Sequence, residues 1–279
     1  MNIGIIGQGF VGNAIYQKFK NYYDVLTFDI KGVIHCNSTL EEINENCNII
    51  FVCLPTPMNA DGSCNVSIVE SVLNDLEILS SLEQEEKIIV IKSTIPPNTT
   101  KKWNKEYTFL DIVFSPEFLT EANAVSDFNN QTRIILGGNK IPTTKLKPIF
   151  AKAFPKATII KTDSTYAEMI KYVTNSFLAT KVSFANEMYQ ICKGLDVDYD
   201  KVIEYACYDE RLGKSHWSVP GPDGDFGYGG HCFPKDVKAL IDLAHDLNVS
   251  PRMLNAVDTK NNEVRQNRDW EKMKGRAVI

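Results

Sequence analysis

The sequence predicts an α/β protein in which an N-terminal doubly wound parallel sheet of the Rossmann type is followed by an all-helical central domain. Short apolar runs alternate with polar segments of helical pattern from Ile3 to Ile160, which is typical of a parallel sheet covered by helices. Beyond Thr165 the pattern is that of helices alone. A glycine-rich turn directly after the first apolar run indicates a ligand site at the start of the sheet.

The first element is a strand that leads into a turn and a helix. Residues 3–6 are apolar and mostly β-branched, residues 7–12 read Gly-Gln-Gly-Phe-Val-Gly, and an amphipathic segment continues to Lys20. Such glycines give a sharp turn, let the backbone approach a pyrophosphate and let the helix pack closely on the strand. The motif alone predicts a dinucleotide site only weakly, because many turns contain glycine.

The second strand supports the same site. Residues 24–29 end in Asp29, 20 positions after Gly9, where a carboxylate can accept hydrogen bonds from both hydroxyls of an adenosine ribose. A carboxylate there repels a 2′-phosphate, so the sequence favours NAD over NADP. Lys31 lies close by and leaves NADP open as the alternative.

Further apolar runs are typical of buried parallel strands: residues 49–53, 88–91, 110–114, 133–136 and 158–160. Ligands of such sheets bind beyond the carboxyl ends of the strands. Three of these ends carry hydroxyls, prolines or carboxylates, at residues 54–57 (Leu-Pro-Thr-Pro), 93–96 (Ser-Thr-Ile-Pro) and 115–121 (Ser-Pro-Glu-Phe-Leu-Thr-Glu). They are candidate ligand loops, and the alternative for each is ordinary turn chemistry.

A long helix is predicted to begin with a capping box from Thr165 to Glu168 and to end near Lys193, before Gly194. Lys171 and Asn175 lie four residues apart on one of its faces, either as a functional pair or as a solvated lysine beside a polar neighbour. Shorter helices are expected at residues 200–208, 234–247 and 251–266.

One cysteine, Cys232, is the candidate nucleophile. It follows the glycine-rich stretch 226–230 and precedes a predicted helix that has Pro234 at its first position. The partial positive charge of a helix N-terminus, together with Lys235, favours the reactive thiolate. Asp236 lies four residues on, one helical turn away on the same side. The alternative is that this cysteine is merely a small residue in a loop.

Composition narrows the class of protein. The 279 residues are 43% hydrophobic and 23% charged, which is an ordinary balance for a globular chain with a substantial core. A net charge of −5 without a basic run argues against nucleic acid as a partner. Seven cysteines, none at the close spacing of a zinc or redox pair, are best explained as reduced thiols in a cytoplasm, with no metal site. We expect neither export nor membrane insertion.

With these residues in view, the sequence resembles the nucleotide-sugar 6-dehydrogenases of the UDP-glucose/GDP-mannose dehydrogenase family. The matching motifs occur in the family's order and cover nearly the whole chain: residues 7–12, Asp29, Thr56-Pro57, Ser93-Thr94, residues 115–121, Lys171 with Asn175, residues 209–213 and residues 226–236. The resemblance implies oxidation of a sugar C6 alcohol to a carboxylate with two NAD molecules in turn. UDP-glucose, GDP-mannose or a UDP-N-acetylhexosamine would be the substrate.

The resemblance also implies roles for the catalytic candidates. Cys232 would add to the aldehyde intermediate, forming a thiohemiacetal and then a thioester that water hydrolyses. Lys171 and Asn175 would hold the developing oxyanion. Asp236 would take part in proton removal and water activation, with Glu117 and Thr94 positioning that water.

Binding positions follow from the same resemblance. The cofactor positions are Gly7, Gly9, Phe10, Val11, Gly12, Asp29, Thr56, Thr94, Glu121 and Lys235. The substrate positions are Glu117, Phe118, Leu119, Glu121, Lys171, Asn175, Arg211, Gly221, Asp225, Phe226 and Gly229. Arg211 matches an arginine that reaches the substrate of a neighbouring subunit in the family, so a homodimer built on the long helix is implied.

The sequence departs from the family in three places. His231 stands where many members have a smaller residue, and residues 214–223 look longer than in close relatives, so the sugar is left open. The expected domains are residues 1–163 for NAD, residues 164–270 for catalysis and dimerisation, and residues 271–279 as the first strand of a C-terminal nucleotide-sugar domain. A separate polypeptide would supply the rest of that domain, or the chain would be a weakly active fragment.

Two other readings stay open. A 3-hydroxyacid or 6-phosphogluconate type of dehydrogenase shares the sheet, the helical half and a similar pair to Lys171 and Asn175, but it needs no cysteine. A regulatory or assembly module that binds NAD without catalysis would suit the short C-terminal end.

Overall fold

A computed structural model describes residues 1–33 and 35–279. By its internal contacts the chain divides into a first unit, Met1–Thr56 with Val66–Lys171, and a second unit, Pro57–Asn65 with Tyr172–Ile279. The division thus falls inside the long helix, and one short segment that follows the third strand is grouped with the helical half. The domain limits expected at residues 163 and 270 stay predictions.

The first unit contains the predicted sheet. Its strands are β1 (Asn2–Ile6), β2 (Asp24–Phe28), β3 (Ile49–Val52), β4 (Lys87–Ile91), β5 (Leu110–Phe114), β6 (Arg133–Gly137) and β7 (Thr158–Thr162), in the order β2-β1-β3-β4-β5-β6-β7. All neighbours pair in parallel except β5 and β6. The order runs outward from β1 in both directions, as in a doubly wound sheet, and the predicted fold class is confirmed.

The pairing of β5 with β6 corrects the expectation that residues 133–136 run parallel to every neighbour. It is antiparallel, at Phe114 and Gly137. The connecting helix α5 (Ala124–Asn129) has six residues, or about 9 Å of length, whereas a five-residue strand is about 16 Å long. A helix this short does not return the chain to the opposite end of the sheet, and the two strands meet only at their last residues, Phe114 and Gly137.

The remaining helices of the first unit cover both faces of the sheet: α1 (Phe10–Phe19), α2 (Leu40–Asn46), α3 (Ser67–Glu83), α4 (Thr99–Glu106) and α6 (Lys140–Ala153). Neighbouring strand residues enter different cores, so that Ile5 packs with Phe19 and Phe51 on one face while Ile6 packs with Val52 and Trp103 on the other. Burial on both faces explains why these strands read as unbroken apolar runs.

The long helix α7 (Ser164–Gly194) begins one residue earlier than predicted, and its capping box is wrong. The Thr165 N–H donates to Asp163 Oδ1 at 2.9 Å, so the residue before the helix caps it. The Glu168 carboxylate is fully buried and accepts instead from the N–H of Asn98 at 2.7 Å and from the N–H of Thr100 at 2.9 Å. These donors are at the N-terminus of α4, where N–H groups have no partner within the helix.

The second unit continues α7 and adds α8 (Tyr199–Ala206), α9 (Phe233–Asp246) and α10 (Arg252–Val264), with 3₁₀ turns at Glu210–Leu212 and Asp269–Lys272. A small core of Ala179, Tyr228, Val237 and Val257 joins the helices. The Met58 N–H donates to the Ala277 carbonyl at 2.8 Å, which ties the segment Pro57–Asn65 to the chain's last residues. No helix in the described residues has the length and apolar character needed to cross a membrane.

Candidate active site

The glycine-rich turn uses its glycines in two different ways. Gly7 has φ +90°, and a Cβ there would lie 2.5 Å from the Cys53 carbonyl oxygen. A Cβ on Gly12 would lie 1.8 Å from the Gly7 carbonyl oxygen, so both positions require glycine for the turn itself. Gly9 has an ordinary φ of −69°, and a Cβ there would meet nothing within 4 Å. The open space at Gly9 lies where α1 begins, at the end of a helix that favours anions.

Side chains beside this turn fit a dinucleotide. The Asp29 carboxylate follows β2 and accepts from the N–H of Gln8 and the N–H of Lys31, each at 2.8 Å. The Gln8 side chain is buried, and neither atom of its amide has a hydrogen-bond partner among the described residues. Buried amides almost always have partners, so the unsatisfied amide is consistent with a ligand at this turn. The residues present therefore fit NAD.

The loops that follow β3 and β4 are joined by hydroxyl groups. Thr56 Oγ1 donates to the Thr94 carbonyl at 2.8 Å. Ser93 Oγ donates to the Leu54 carbonyl at 2.6 Å and accepts from the Leu54 N–H at 3.0 Å. The predicted positions Thr56 and Thr94 are thus in contact at the carboxyl edge of the sheet, where ligands of such sheets bind.

Glu117 belongs to a buried charged cluster with Lys92 and Lys171, of which the sequence predicted Glu117 and Lys171. Its Oε2 lies 3.1 Å from Lys92 Nζ, and both side chains are almost fully buried. Its Oε1 accepts from the Phe118 N–H at 2.9 Å, and its carbonyl accepts a short hydrogen bond from Lys171 Nζ. Lys92 is absent from the predicted site residues. Its position directly after a buried strand could have predicted a charged partner, because a buried charge needs one.

The other predicted site residues of the loop 115–121 are Phe118, Leu119 and Glu121. The Phe118 ring centroid lies 5.4 Å from Lys171 Nζ and 4.7 Å from the Arg133 guanidinium carbon. Leu119 packs against the sheet core on the α1 side. Glu121 is half-buried.

A second cluster lies in the helical unit and is centred on Asp236, which is 1% exposed. Its Oδ2 accepts from Asn175 Nδ2 and its Oδ1 from Lys235 Nζ, both at 2.6 Å. Burial opposes the charge of Lys235, but Asp236, Cys64 and Cys232 outweigh it and raise the pKa of Lys235 to about 12. The lysine expected at a cofactor position is thus paired with the aspartate expected at a catalytic one.

Cys232 is half-buried and occupies the N-cap position of α9. Phe233 is therefore the first helical residue and Pro234 the second, one place later than predicted. The second position also has no intrahelical acceptor for an N–H, so proline is tolerated there for the same reason. The Cys232 carbonyl accepts from the Asp236 N–H at 3.0 Å, which fixes the one-turn spacing of the two residues.

The predicted substrate loop leads to this cysteine. The Gly221 N–H donates to the Asp225 carbonyl at 2.8 Å, and the Phe226 ring packs 5.6 Å from the ring of Tyr189. Arg211 is exposed on the surface, where its guanidinium binds the Asp209 carboxylate in bidentate fashion. Among the described residues, no group of three or more metal-ligating side chains could hold an ion.

The predicted site residues thus form separate groups in the two units. Asp29 with the glycine turn, Thr56 with Thr94, and Glu117 with Lys171 lie in the first unit, and Asn175, Lys235 and Asp236 lie in the second beside Cys232.

Comparisons with known proteins agree with both units. Residues 25–153 match the NAD binding domain of the UDP-glucose/GDP-mannose dehydrogenase family, and residues 165–263 match its central domain. The chain is 31% identical to the UDP-glucose 6-dehydrogenase AglM of Haloferax volcanii over 92% of its own length and 68% of that protein. It is 35% identical to a UDP-glucose 6-dehydrogenase of Rickettsia bellii over 78% of its length and 50% of that protein.

A solved UDP-glucose dehydrogenase from Pyrobaculum islandicum superposes with a TM-score of 0.85 at 26% identity, covering 94% of this chain and 68% of that one. The chain therefore spans about half to two thirds of the length of these relatives. It belongs to the UDP-glucose/GDP-mannose dehydrogenase family of NAD-dependent enzymes.

Proposed function

We propose that the protein oxidises the C6 alcohol of UDP-glucose to the carboxylate of UDP-glucuronate by two successive hydride transfers. The observation that carries the proposal is the pairing of Asp236 with Asn175 and Lys235, one helical turn from Cys232. Bound NAD supplies the hydride acceptor for each step. A dehydrogenase that stops at an aldehyde or ketone has no need of a cysteine held beside such a cluster.

The cysteine solves a chemical problem of the second oxidation. An aldehyde cannot yield an acid by hydride loss until a nucleophile has added to its carbonyl. The Cys232 thiolate adds to the aldehyde carbon, and the resulting thiohemiacetal can lose hydride to become a thioester. Water then attacks the thioester carbonyl, which releases the carboxylate and returns the thiol. Lys235 and the N-terminus of α9 both favour the thiolate.

Among the described residues, Lys171 and Asn175 each have further hydrogen-bond donors that can bind an oxyanion. One N–H of the Asn175 amide is used by Asp236, and one N–H of the Lys171 ammonium is used by the Glu117 carbonyl. An amide nitrogen carries two donors and an ammonium three. The remaining donors can stabilise negative charge on the carbonyl oxygen as it develops.

Asp236 and Glu117 are the carboxylates proposed to handle protons and water. Asp236 takes part in removing the proton of the C6 hydroxyl. Glu117 Oε2 is near enough to Lys92 for an ion pair but makes no hydrogen bond within the described part of the chain. A lone pair on that oxygen can therefore orient the hydrolytic water, together with the Thr94 hydroxyl.

The proposed partners are a nucleotide sugar, a second copy of the chain and a further polypeptide. The copies would associate through α7, and Arg211 would reach the substrate of the neighbouring copy. The family resemblance implies a C-terminal domain that holds the nucleotide, so assays of this chain include such a domain from a relative. The alternative is a catalytically weak or regulatory NAD-binding chain.

The proposal is tested by incubating the protein with UDP-glucose and NAD while NADH is followed, alone and with a C-terminal domain from a relative. We expect two NADH for each UDP-glucose consumed and much slower turnover with NADP. GDP-mannose and UDP-N-acetylmannosamine serve as comparison substrates, since faster turnover of either would reassign the sugar. Absence of NADH formation with every nucleotide sugar, in the presence of the added domain, would favour the regulatory alternative.

A further inference from the structure

We propose that Arg265 is a positioning residue that holds the loop 221–230 in the shape that binds the nucleotide diphosphate. Its side chain is 1% exposed, although it extends from the C-terminal end of α10. The contacts through which Arg265 holds the loop, called the clamp below, lie within the second unit. The identity of the ligand that the loop binds rests on the proposed function.

Arg265 contacts two carboxylates of the loop and one carboxylate that follows α10 in sequence. Its Nη2 lies 2.7 Å from Asp223 Oδ2 and 3.4 Å from Asp269 Oδ1, and its Nε lies 3.4 Å from Asp225 Oδ2. Its Nε also donates to the Asn267 carbonyl at 2.8 Å and its Nη1 to the Phe226 carbonyl at 3.5 Å. The planar fork of arginine can serve several acceptors in different directions, which a lysine cannot do.

Glycines of the loop make room for this side chain. A Cβ on Gly229 would lie 2.2 Å from Arg265 Nη2 and 2.5 Å from Asp269 Oδ1. The Gly230 N–H donates to the Asp269 carboxylate at 3.1 Å, so the aspartate that binds Arg265 also binds the backbone of the loop. The absence of a side chain at Gly229 is therefore required by the clamp, independently of any ligand.

Two buried asparagines fix the backbone next to the arginine. The Gly227 N–H donates to Asn186 Oδ1 at 3.1 Å. Asn261 accepts from the Tyr228 N–H at 2.7 Å and donates to the Tyr228 carbonyl at 3.0 Å. A loop rich in glycine has much conformational freedom to lose, about 1–2 kcal/mol for each backbone residue that is fixed. These contacts offset that cost before a ligand arrives.

Charge gives the clamp its functional meaning. Asp223 and Asp225 are acidic residues in a loop that is proposed to receive a doubly charged diphosphate. Burial alone would raise the pKa of Asp223, but the hydrogen bond from Arg265, hydrogen bonds from backbone N–H groups and the charge of Arg265 together outweigh burial, and the pKa falls below its ordinary value. Arg265 offsets one of the three negative charges of Asp223, Asp225 and Asp269, which weakens the repulsion between the loop and the ligand. A simple packing role does not require a buried charge at this position.

The test compares Arg265→Met, Arg265→Lys and the milder Asp269→Asn with Arg268→Met as control. Arg268 is a neighbouring arginine that is 42% exposed and whose Nη1 lies 3.4 Å from Glu271. Hydrogen exchange of the Gly227, Tyr228 and Gly230 amides reports on the clamp without any ligand. Calorimetry with UDP-glucose and with NAD, in the presence of the C-terminal domain, reports on binding.

We expect Arg265→Met to speed hydrogen exchange of the three loop amides. It should also raise the dissociation constant of UDP-glucose by about tenfold or more, the usual effect of losing a buried hydrogen bond to a charged group. Asp269→Asn should speed exchange at Gly230 first, and Arg265→Lys should restore only part of the affinity. In these variants the NAD affinity and the hydrogen exchange of α7 amides should equal those of the wild type. In the control Arg268→Met, all of the measured quantities should equal those of the wild type.

Two results would overturn the proposal. One is unchanged exchange of the loop amides in both Arg265→Met and Asp269→Asn. The other is a uniform rise in exchange throughout the second unit with equal losses of UDP-glucose and NAD affinity, which would make Arg265 a general packing residue. If wild-type protein fails to bind UDP-glucose, the proposed function fails while the exchange measurements still decide whether the clamp exists.

Discussion

Among single residues, two buried lysines at opposite ends of β4 allow a functional role to be compared with a purely structural one. Lys87 pairs with Glu83 and Glu85 at the amino end, and Lys92 follows the carboxyl end and pairs with Glu117. Both side chains are at most 2% exposed. The two sites therefore have similar burial and similar chemistry, but only Lys92 holds a residue that is proposed to position water.

We predict that Lys92→Met slows hydrolysis of the thioester by about tenfold or more, because Glu117 loses the charge that holds its carboxylate. Acyl-enzyme should then accumulate on the peptide containing Cys232, as measured by mass spectrometry of rapidly quenched samples. Lys87→Met is the matched control and should lower only the free energy of unfolding. Equal turnover of folded Lys92→Met and wild-type enzyme would assign Lys92 a purely structural role.

At the scale of elements, the glycine-rich turn allows a paired prediction. Gly9→Ala should lower the free energy of unfolding by no more than about 1 kcal/mol, the cost of alanine at a helix N-cap, since the new methyl group meets open space. It should nevertheless weaken NAD binding by tenfold or more in calorimetry, because that space is where a pyrophosphate approaches the backbone. Gly12→Ala should instead destabilise the fold, as its Cβ would collide with Gly7. Unchanged NAD affinity in Gly9→Ala would place the cofactor elsewhere.

The carboxylates of the loop before Cys232 should contribute less to the stability of the fold at low pH. The Asn267 N–H lowers the pKa of Asp225, with smaller contributions from the Phe226 N–H and Arg265, and the pKa of Asp223 is lowered as well. A carboxylate with a lowered folded pKa contributes stability above its unfolded pKa of about 4 and loses it as the pH falls through the folded value. The melting temperature of wild-type protein should therefore fall more steeply between pH 5 and pH 3 than that of Asp223→Asn/Asp225→Asn. Parallel curves would contradict this assignment.

The elements also mark the limit of what the sequence could predict. Strands such as β3 and β4 were predictable because burial on both faces leaves unbroken apolar runs. The capping box at Thr165 was wrong because Glu168 binds Asn98, 70 residues away. Lys92 and Arg265 were missed for the same reason, since their partners Glu117 and Asp223 are distant in sequence. Local spacing predicts elements and motifs but does not specify which buried charges pair.

At the scale of the whole molecule, α7 exposes an apolar stripe suited to a second copy of the chain. Val173, Phe177, Phe184 and Ile191 are 56%, 62%, 52% and 49% exposed. Their spacings of four, seven and seven residues keep them on one side of the helix. Exposed apolar stripes of this length on a helix usually mark an interface.

We predict that the protein is a homodimer at micromolar concentration and that Phe177→Glu makes it monomeric, as measured by light scattering. A charge in the middle of an apolar interface should raise the dimer dissociation constant by at least a hundredfold. Leu82→Glu is the matched control, because Leu82 is 78% exposed on α3 and does not belong to the stripe. A wild-type monomer, or a Phe177→Glu dimer as stable as wild type, would contradict the prediction.

A covalent bond between Cys232 and the sugar distinguishes the proposed mechanism from its alternatives. Wild-type protein, mixed with a C-terminal domain from a relative, should form a covalent sugar adduct on the Cys232 peptide when it is incubated with UDP-glucose and NAD and quenched for mass spectrometry. Cys232→Ala should show no adduct and form no UDP-glucuronate, and Cys232→Ser should fail at the second oxidation while NAD affinity stays within about twofold of wild type. If Cys232→Ala forms UDP-glucuronate as fast as wild type, the proposed mechanism is wrong.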